Sequence, residues 1–168
     1  VPVRGKQCSS QQLPQINQKF NTYKQFAKAD IDDILPNINS ALKYEAKVFE
    51  SIILENNQGV LQIKKLPAEA QFSVVNGIVV HDFNNDNILD ILIAGNKFEV
   101  EIETTRADAS IGQLFLGTKN GFFKAINHQE SGILLPSNVK DIQKIKFKNN
   151  IGILSAINND KLRLFKLQ

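Results

Sequence analysis

Four polar side chains between residues 82 and 90 have the types and the spacing of a calcium-binding loop. They lie in the stretch HDFNNDNILDILIAGN (81–96), between two apolar runs. Calcium prefers about six to eight oxygen ligands, which can be carboxylates, amides and backbone carbonyls. Carboxylates placed so close together repel one another unless a cation neutralises them. The pattern predicts a calcium ion held by the side chains of Asp82, Asn84, Asp86 and Asp90 and by the backbone carbonyl of Ile88.

This loop differs from an EF-hand, and a second interpretation stays open. The flanks read as strands, and Asp90 closes the loop earlier than the acidic residue at about position twelve of an EF-hand. Asn87 stands where glycine is common, and asparagine tolerates a left-handed backbone better than most residues. The alternative is an Asx-rich hairpin turn whose carboxylates are solvated.

The first part of the chain has the periodicity of short helices. Between residues 10 and 45, apolar residues recur about every three or four positions. Thr22 and Asp30 suit helix caps, and Pro14 suits a first helical turn. Pro36 is expected to end the last helix. We therefore expect residues 1–45 to form a helical segment that packs on the sheets.

After about residue 46 the pattern changes to that of β-strands. Short apolar runs are separated by turn sequences such as ENNQG (55–59) and GTKNG (117–121). The runs GIVV (77–80) and ILIA (91–94) do not alternate with polar residues, which is typical of strands covered on both faces. The predicted strands are 48–54, 60–63, 78–83, 89–94, 113–116, 122–126, 142–147, 151–157 and 162–167.

Two segments recur with the same spacing of 62 residues. SIILENNQGVLQI (51–63) matches QLFLGTKNGFFKA (113–125), and DILIAGN (90–96) matches GILSAIN (152–158). Residues 46–168 then contain a half repeat, a full repeat and a half repeat, at 46–66, 67–128 and 139–168. Repeated four-stranded antiparallel units predict about two β-propeller-like blades, in a mainly β fragment of a larger repeat protein. The alternative is a small α+β domain with one antiparallel sheet.

The same spacing predicts that the second copy of the acidic loop binds no calcium. It replaces Asp82, Asn84, Asp86 and Asp90 by Lys144, Lys146, Lys148 and Gly152. Ammonium groups only donate hydrogen bonds, so they cannot be ligands of a cation. Three lysines on one strand face could bind a polyanion, although a solvated strand guarded by lysines is the more common arrangement.

Several stretches of the chain resemble a known family of repeats. DFNNDNILDILIAGN resembles the FG-GAP or VCBS repeat, which occurs in integrin α-chain propellers and in bacterial surface proteins. The wider chain is similar to the C-terminal region of large bacterial FG-GAP/VCBS proteins that also carry an ASPIC/UnbV module, akin to cartilage acidic protein. The other stretches that carry this resemblance are VPVRGKQCSSQQ, FAKADIDDI, LPAEAQFSVVNGIVVHDFNNDNILD, ETTRADASIGQLFLG and NNDKLRLFKL.

The resemblance implies propeller-like blades with calcium in a blade hairpin. It also implies an exported setting, at the cell surface, associated with the outer membrane or in the periplasm. The expected partners are a surface protein or glycan and the rest of the parent protein. It implies no established enzymatic activity. The absence of Met, even at position 1, agrees with a fragment of a longer protein.

Other residues could in principle support catalysis or binding. Cys8, His81 and His128 are far apart in sequence and lack a nucleophile signature. The loop EIETTRAD (101–108) carries Glu101, Glu103, Arg106 and Asp108. We expect this loop to face a ligand or partner, since loops on rigid scaffolds often carry binding function. The alternative is a carbohydrate-active or other hydrolytic domain that uses paired carboxylates of this loop.

Charge and hydropathy exclude some classes of function. The net charge of +3 is small and scattered, which does not favour nucleic acid as a partner. The sequence has no run of about 18 apolar residues that could span a membrane. Our leading hypothesis is therefore a non-catalytic, calcium-binding β-repeat module used for binding or assembly.

Overall fold

The chain divides into two compact units, Val1–Lys47 and Val48–Gln168. The computed structural model describes residues 4–35, 37–102, 104–147 and 150–167. Pro36, Glu103 and Lys148, to which the sequence assigns roles, lie outside the described residues. We call the first unit the helical unit and the second the sheet unit. The sheet unit holds three antiparallel sheets, so the chain is mainly β, as predicted.

Short helices form the described part of the helical unit. The Thr22 hydroxyl accepts a hydrogen bond from the Gln25 N–H, and the Asp30 carboxylate accepts one from the Asp33 N–H. In both helices, the side chain of the third residue in turn accepts a hydrogen bond from the backbone N–H of the cap residue. Each arrangement is therefore a capping box. The two predicted caps are thus confirmed. The helices are α1 (Lys6–Gln12), α2 (Gln15–Lys19), α3 (Tyr23–Lys28), α4 (Ile31–Ile34) and a 3₁₀ helix (Ile38–Ser40).

A small aromatic and aliphatic cluster holds the helical unit together. Ile16, Phe20, Phe26 and Ala29 are buried there. The rings of Phe20 and Phe26 meet edge to face, with centroids 5.5 Å apart. Such aromatic pairs contribute about 0.5 to 1.5 kcal/mol beyond their buried area. Several of the apolar residues that recur with helical periodicity therefore form the face on which these helices pack.

Three antiparallel sheets make up the sheet unit. The hairpin sheet contains β1 and β2, the central sheet has the order β3-β4-β5-β6, and the C-terminal sheet has the order β7-β8-β9. A 3₁₀ helix (Ala68–Gln71) precedes β3, and α5 (His128–Ser131) follows β6. The strands are β1 (Ile52–Asn57), β2 (Val60–Lys65), β3 (Gly77–His81), β4 (Asp90–Ala94), β5 (Gln113–Gly117), β6 (Phe123–Ile126), β7 (Val139–Phe147), β8 (Asn150–Ile157) and β9 (Arg163–Lys166).

The hairpin sheet turns at the glycine that the sequence indicates. Gln58 and Gly59 separate the paired residues Asn57 and Val60, and both have positive φ, 52° and 90°. Positive φ at both central residues is the geometry of a type I′ turn, whose twist matches that of the flanking strands. The turn therefore explains why ENNQG joins two strands and why glycine stands at its second central position.

The two inner strands of the central sheet, β4 and β5, are covered on both faces. Leu92 and Leu114 belong to a buried cluster shared with the C-terminal sheet. Ile93 and Phe115 point the other way and pack with Ala70 of the 3₁₀ helix. Burial on both faces explains the continuous apolar run ILIA in β4, as the sequence predicts.

The run GIVV in β3 behaves differently from ILIA. Ile78 and Val80 are 59% and 49% exposed, whereas Val79 is buried. The prediction that this run is covered on both faces is therefore wrong, because β3 lies at the edge of the central sheet. One face of β3 packs on the core and the other meets solvent.

The central and C-terminal sheets approach each other closely at Gly77. A Cβ atom on Gly77 would lie 2.6 Å from the backbone nitrogen of Ile142 in β7, too close for any side chain. The pairing of β7 with β8 is shifted by a bulge between Val139 and Asp141. The constant spacing predicts Gln143 opposite Gly152, but Gln143 lies opposite Leu154. The ungapped repeat correspondence is thus wrong along β7.

Candidate calcium-binding loop

The acidic loop connects β3 to β4 and is folded by its own side chains. Asn85 and Asn87 adopt left-handed conformations, with φ of 59° and 66°. Asparagine is one of the few residues that reach this region at small cost, so both positions suit the residues that occupy them. His81 pairs with Asp90 at the base of the loop, which the two strands therefore hold closed.

Three of the predicted ligands gather around three backbone N–H groups, those of Asp86, Asn87 and Ile88. Asp82 Oδ1 and Asn84 Oδ1 both accept the Asp86 N–H, each at 3.1 Å. Asp82 Oδ2 accepts the Asn87 N–H at 2.8 Å. Asp86 Oδ1 accepts the Ile88 N–H at 2.8 Å, and its Oδ2 accepts the Asn84 side-chain amide at 3.0 Å. These bonds bring the Asp82, Asn84 and Asp86 side chains together.

Asp90 is fully buried and links the loop to the central sheet. Its Oδ2 accepts the Phe83 N–H at 2.8 Å, and its Oδ1 accepts the Gly117 N–H at 2.9 Å. A buried carboxylate without partners would cost several kcal/mol, so these two donors are what makes its burial tolerable. Asp90 therefore fixes the loop against the end of β5.

Gly117 is the residue that permits this contact. A Cβ atom at position 117 would lie 2.4 Å from the Leu89 carbonyl oxygen and 2.9 Å from Ile88 Cγ2. Only glycine lets the backbone of β5 come this close to the loop and donate its N–H to Asp90. Sequence analysis did not single out Gly117 as part of the site. Its signal is the GTKNG turn, whose first glycine opens the β5–β6 connection.

The hydrogen bonds of the loop do not use all the lone pairs of its carboxylate oxygens. Each carboxylate oxygen of Asp82, Asp86 and Asp90 accepts one hydrogen bond and has a second lone pair. No described Lys or Arg forms an ion pair with these three residues. Across the described part of the chain, no three carboxylate, imidazole or thiol groups converge as a ready metal cluster. The donor set suits calcium, and binding would require Asp90 to share its oxygens with the loop.

The second copy of the loop is replaced by a long hairpin. β7 continues to Phe147, which pairs directly with Asn150. Lys144 and Lys146 are exposed on one face of β7. Gly152 cannot carry a carboxylate, since a Cβ there would lie 2.8 Å from the Phe165 carbonyl oxygen.

The predicted partner-facing loop forms an excursion between β4 and β5. Lys97 and Ala107 pair through two backbone hydrogen bonds of 2.7 and 3.1 Å, which close the excursion at its base. The Arg106 guanidinium lies 5.9 Å from the centroid of the Phe98 ring, a cation–π contact. Glu101 and Asp108 are both exposed.

Glu99 anchors this excursion to the C-terminal sheet. Its carboxylate accepts the Asn138 side-chain amide at 2.7 and 2.8 Å and the Lys140 ammonium at 3.2 Å. It also accepts the Asn158 amide. The Asn138 amide, the backbone N–H of Glu99 and the Lys140 ammonium lower the pKa of the Glu99 carboxyl from 4.5 to about 2. Sequence analysis missed this residue, because its partners come from a distant part of the chain.

The remaining candidates for catalysis contact ordinary structural neighbours. Cys8 lies in α1 of the helical unit and is half-buried. The His81 ring meets the Phe83 ring edge to face, with centroids 5.4 Å apart. His128 begins α5 and is exposed.

No protein-family model, no curated protein and no solved structure matches the chain significantly. No helix in the described residues is long and apolar enough to cross a bilayer.

Proposed function

We propose that this chain is a calcium-binding β-repeat module, used for binding or assembly rather than catalysis. The observation that carries the proposal is the acidic loop. Its bonds gather Asp82, Asn84 and Asp86, and Asp90 closes it against β5. A dication would neutralise three carboxylates for which the described residues provide no cationic partner.

The repeated sheets support propeller-like blades as the scaffold. The central sheet has four antiparallel strands, and the C-terminal sheet packs on it through a shared core. Calcium at Asp82, Asn84, Asp86, Ile88 and Asp90 would rigidify the β3–β4 connection. By the resemblance of the sequence to FG-GAP/VCBS repeats, the parent protein is exported, with a protein or glycan as partner.

The proposal is tested by thermal unfolding of the chain with calcium and with a chelator. Calcium binds the folded state, so we expect a melting temperature that rises with calcium concentration. Asp86→Asn keeps an oxygen that can accept the Ile88 N–H but removes one negative charge. It also loses the hydrogen bond that Asp86 Oδ2 accepts from the Asn84 amide, so this variant should melt slightly below the parent in chelator and gain less from calcium.

Asp108→Ala is the matched control for this experiment. Asp108 is an exposed carboxylate of the same unit, outside the loop. Its variant should show the full calcium shift. Equal melting temperatures with calcium and chelator for the parent chain would contradict the proposal and favour the solvated Asx-rich turn.

A further inference from the structure

An exposed, extended segment precedes the hairpin sheet. Residues 42–48 (LKYEAKV) lie between the 3₁₀ helix that ends at Ser40 and β1, which begins at Ile52. The chain leaves that helix at Ala41 in an extended conformation, with φ of −78° and ψ of 146°. No backbone group of residues 42–48 has a backbone hydrogen-bond partner among the described residues. The segment is internal to the chain, and its backbone is free to pair with another strand.

This segment alternates apolar and polar residues, which is the pattern of a strand with one buried face. The Lys47 ammonium lies 3.8 Å from the Glu45 carboxylate, as expected for side chains two positions apart on one side of an extended chain. Leu42 and Tyr44 are nevertheless 78% and 90% exposed. The segment thus has the apolar face of a strand, and no described residue buries that face. Its apolar members are Leu42, Tyr44, Ala46 and Val48, and its polar members are Lys43, Glu45 and Lys47.

The segment matches itself when two copies run antiparallel about Ala46. In this register Glu45 lies opposite Lys47 of the second copy, and opposite charges that face each other across two strands are favourable. Tyr44 lies opposite Val48, and such pairs of an aromatic and a β-branched residue also stabilise neighbouring strands. Because the arrangement is two-fold symmetric, each of these pairs occurs twice.

The order of the charges favours a second copy as the partner. Lysines alone would repel one another across two strands and would keep the segment solvated. Glu45 stands between Lys43 and Lys47, so the antiparallel pair has both signs of charge facing each other. A register centred on Glu45 would place Glu45 opposite itself and Lys43 opposite Lys47, and like charges disfavour it. All the favourable pairs lie within residues 42–48, which a second copy supplies without any other segment of a longer chain.

We propose that residues 42–48 of two copies of this chain pair as antiparallel strands and form a two-fold symmetric dimer. A strand pair of this length is smaller than the interfaces of about 1,200 to 2,000 Å² that stable complexes bury, so the dimer is weak and reversible. The inference gives the proposed assembly role a partner and rests on that role, but it does not require calcium.

Charge reversal tests the pairing directly. Sedimentation equilibrium of the full chain measures dissociation constants up to about 1 mM, the weak end of the affinity scale. Glu45→Lys and Lys47→Glu each place like charges opposite each other on both sides of the axis. We expect each variant to dimerise about tenfold more weakly than the parent. Both side chains are exposed, so the fold of either variant should be unchanged, which circular dichroism checks.

Two matched controls restore the charge pairs. The double variant Glu45→Lys/Lys47→Glu exchanges the two charges without changing their sum, and it should dimerise like the parent. An equimolar mixture of the two single variants should form the mixed dimer preferentially, because its cross-strand charges are again opposite in sign.

A disulfide at the two-fold axis tests the register. Directly opposed Cα atoms of an antiparallel pair lie about 4.5 to 5.5 Å apart, within the range that a disulfide spans. Ala46 lies opposite itself, so Ala46→Cys in a Cys8→Ser background should cross-link under mild oxidation. Ala41→Cys in the same background is the control, since position 41 is also exposed but lies well away from the axis.

Several results would overturn the inference. These are a parent chain that stays monomeric up to about 1 mM, a dimer that both single charge reversals leave unchanged, a double variant that stays monomeric, and cross-linking of Ala41→Cys as fast as Ala46→Cys. The measurements are made with calcium and with chelator. A calcium-dependent melting temperature in a monomeric chain would overturn this inference alone. Dimerisation of a chain whose melting temperature does not respond to calcium would overturn the calcium site alone.

Discussion

At the residue scale, the acidic loop is held by side chains that are close together in the chain and by the contact of Asp90 with the distant Gly117. The spacing of Asp82, Asn84 and Asp86 predicts that their side chains meet, because alternate residues of a tight loop share one side. The burial of Asp90 and its bond to Gly117 could not be predicted, since that partner lies 27 residues away in sequence. Glu99 was missed for the same reason, because Asn138 and Asn158 lie 39 and 59 residues away.

Glu99 should make the stability of the sheet unit depend on pH. Its folded pKa of about 2 lies below the ordinary value of 4.5. The carboxylate therefore stabilises the fold at and above about pH 4.5, and this stabilisation is lost as the pH falls towards 2. We expect Glu99→Gln to lower the melting temperature at pH 7 and to melt like the parent near pH 2, as followed by circular dichroism. Glu130→Gln, a change at an exposed carboxyl, is the control, and a constant difference across this range would contradict the assignment.

Ser155 should be replaceable without loss of stability. It is fully buried in β8, and its hydroxyl has no hydrogen-bond partner among the described residues. A buried hydroxyl without a partner costs about 1 to 3 kcal/mol, so Ser155→Ala should leave the free energy of unfolding unchanged or raise it. Denaturant unfolding measures this.

Ser110→Ala is the comparison for that experiment. The Ser110 hydroxyl accepts the Gly112 N–H at 3.2 Å, so its removal should lower the free energy of unfolding. A loss of more than about 1 kcal/mol in Ser155→Ala would show that the buried hydroxyl has a partner.

At the element scale, the strands were predicted well because their apolar runs and turn residues are local signals. The exposed face of β3 could not be read in the same way. GIVV is as apolar as ILIA, and only the sheet order places β3 at an edge and β4 inside. The bulge in β7 is also invisible in the sequence, because it depends on how β7 pairs with β8.

Position 117, where β5 meets the acidic loop, should not accept any residue larger than glycine. Gly117→Ala would place Cβ 2.4 Å from the Leu89 carbonyl oxygen and would push the Gly117 N–H away from Asp90. Crowding of this kind typically costs about 1 to 3 kcal/mol, and we expect this loss in denaturant unfolding together with a smaller calcium shift.

Gly5→Ala is the control for this substitution. Gly5 has φ of −65°, and a Cβ there would meet nothing within 4 Å. Gly5 is also the N-cap residue of α1, where alanine is less favourable than glycine, so we expect a loss of only about 0.5 kcal/mol. A Gly117→Ala variant as stable as Gly5→Ala would mean that the loop does not depend on its close approach to β5.

At the scale of the whole molecule, the 62-residue repeat correctly relates strands of the central sheet to strands of the C-terminal sheet. It does not predict which residues are equivalent at every position. The spacing of 62 residues relates β4 to β8, and the pairing of β8 with β9 repeats that of β4 with β5. The second copy has nevertheless lost the loop, since β7 continues as a strand to Phe147 and Gly152 of β8 stands where the first copy has Asp90. We therefore predict one calcium site in a chain built from similar sheets.

The most direct test of this account is calcium titration of the full chain by isothermal titration calorimetry. We predict a single calcium ion bound per chain, lost or greatly weakened in Asp86→Asn and unchanged in Asp108→Ala. Asp86→Asn removes one of three carboxylates around the ion, and calcium affinity depends on the number of charged ligands. Absence of binding to the parent chain, or binding that Asp86→Asn leaves unchanged, would contradict the central claim.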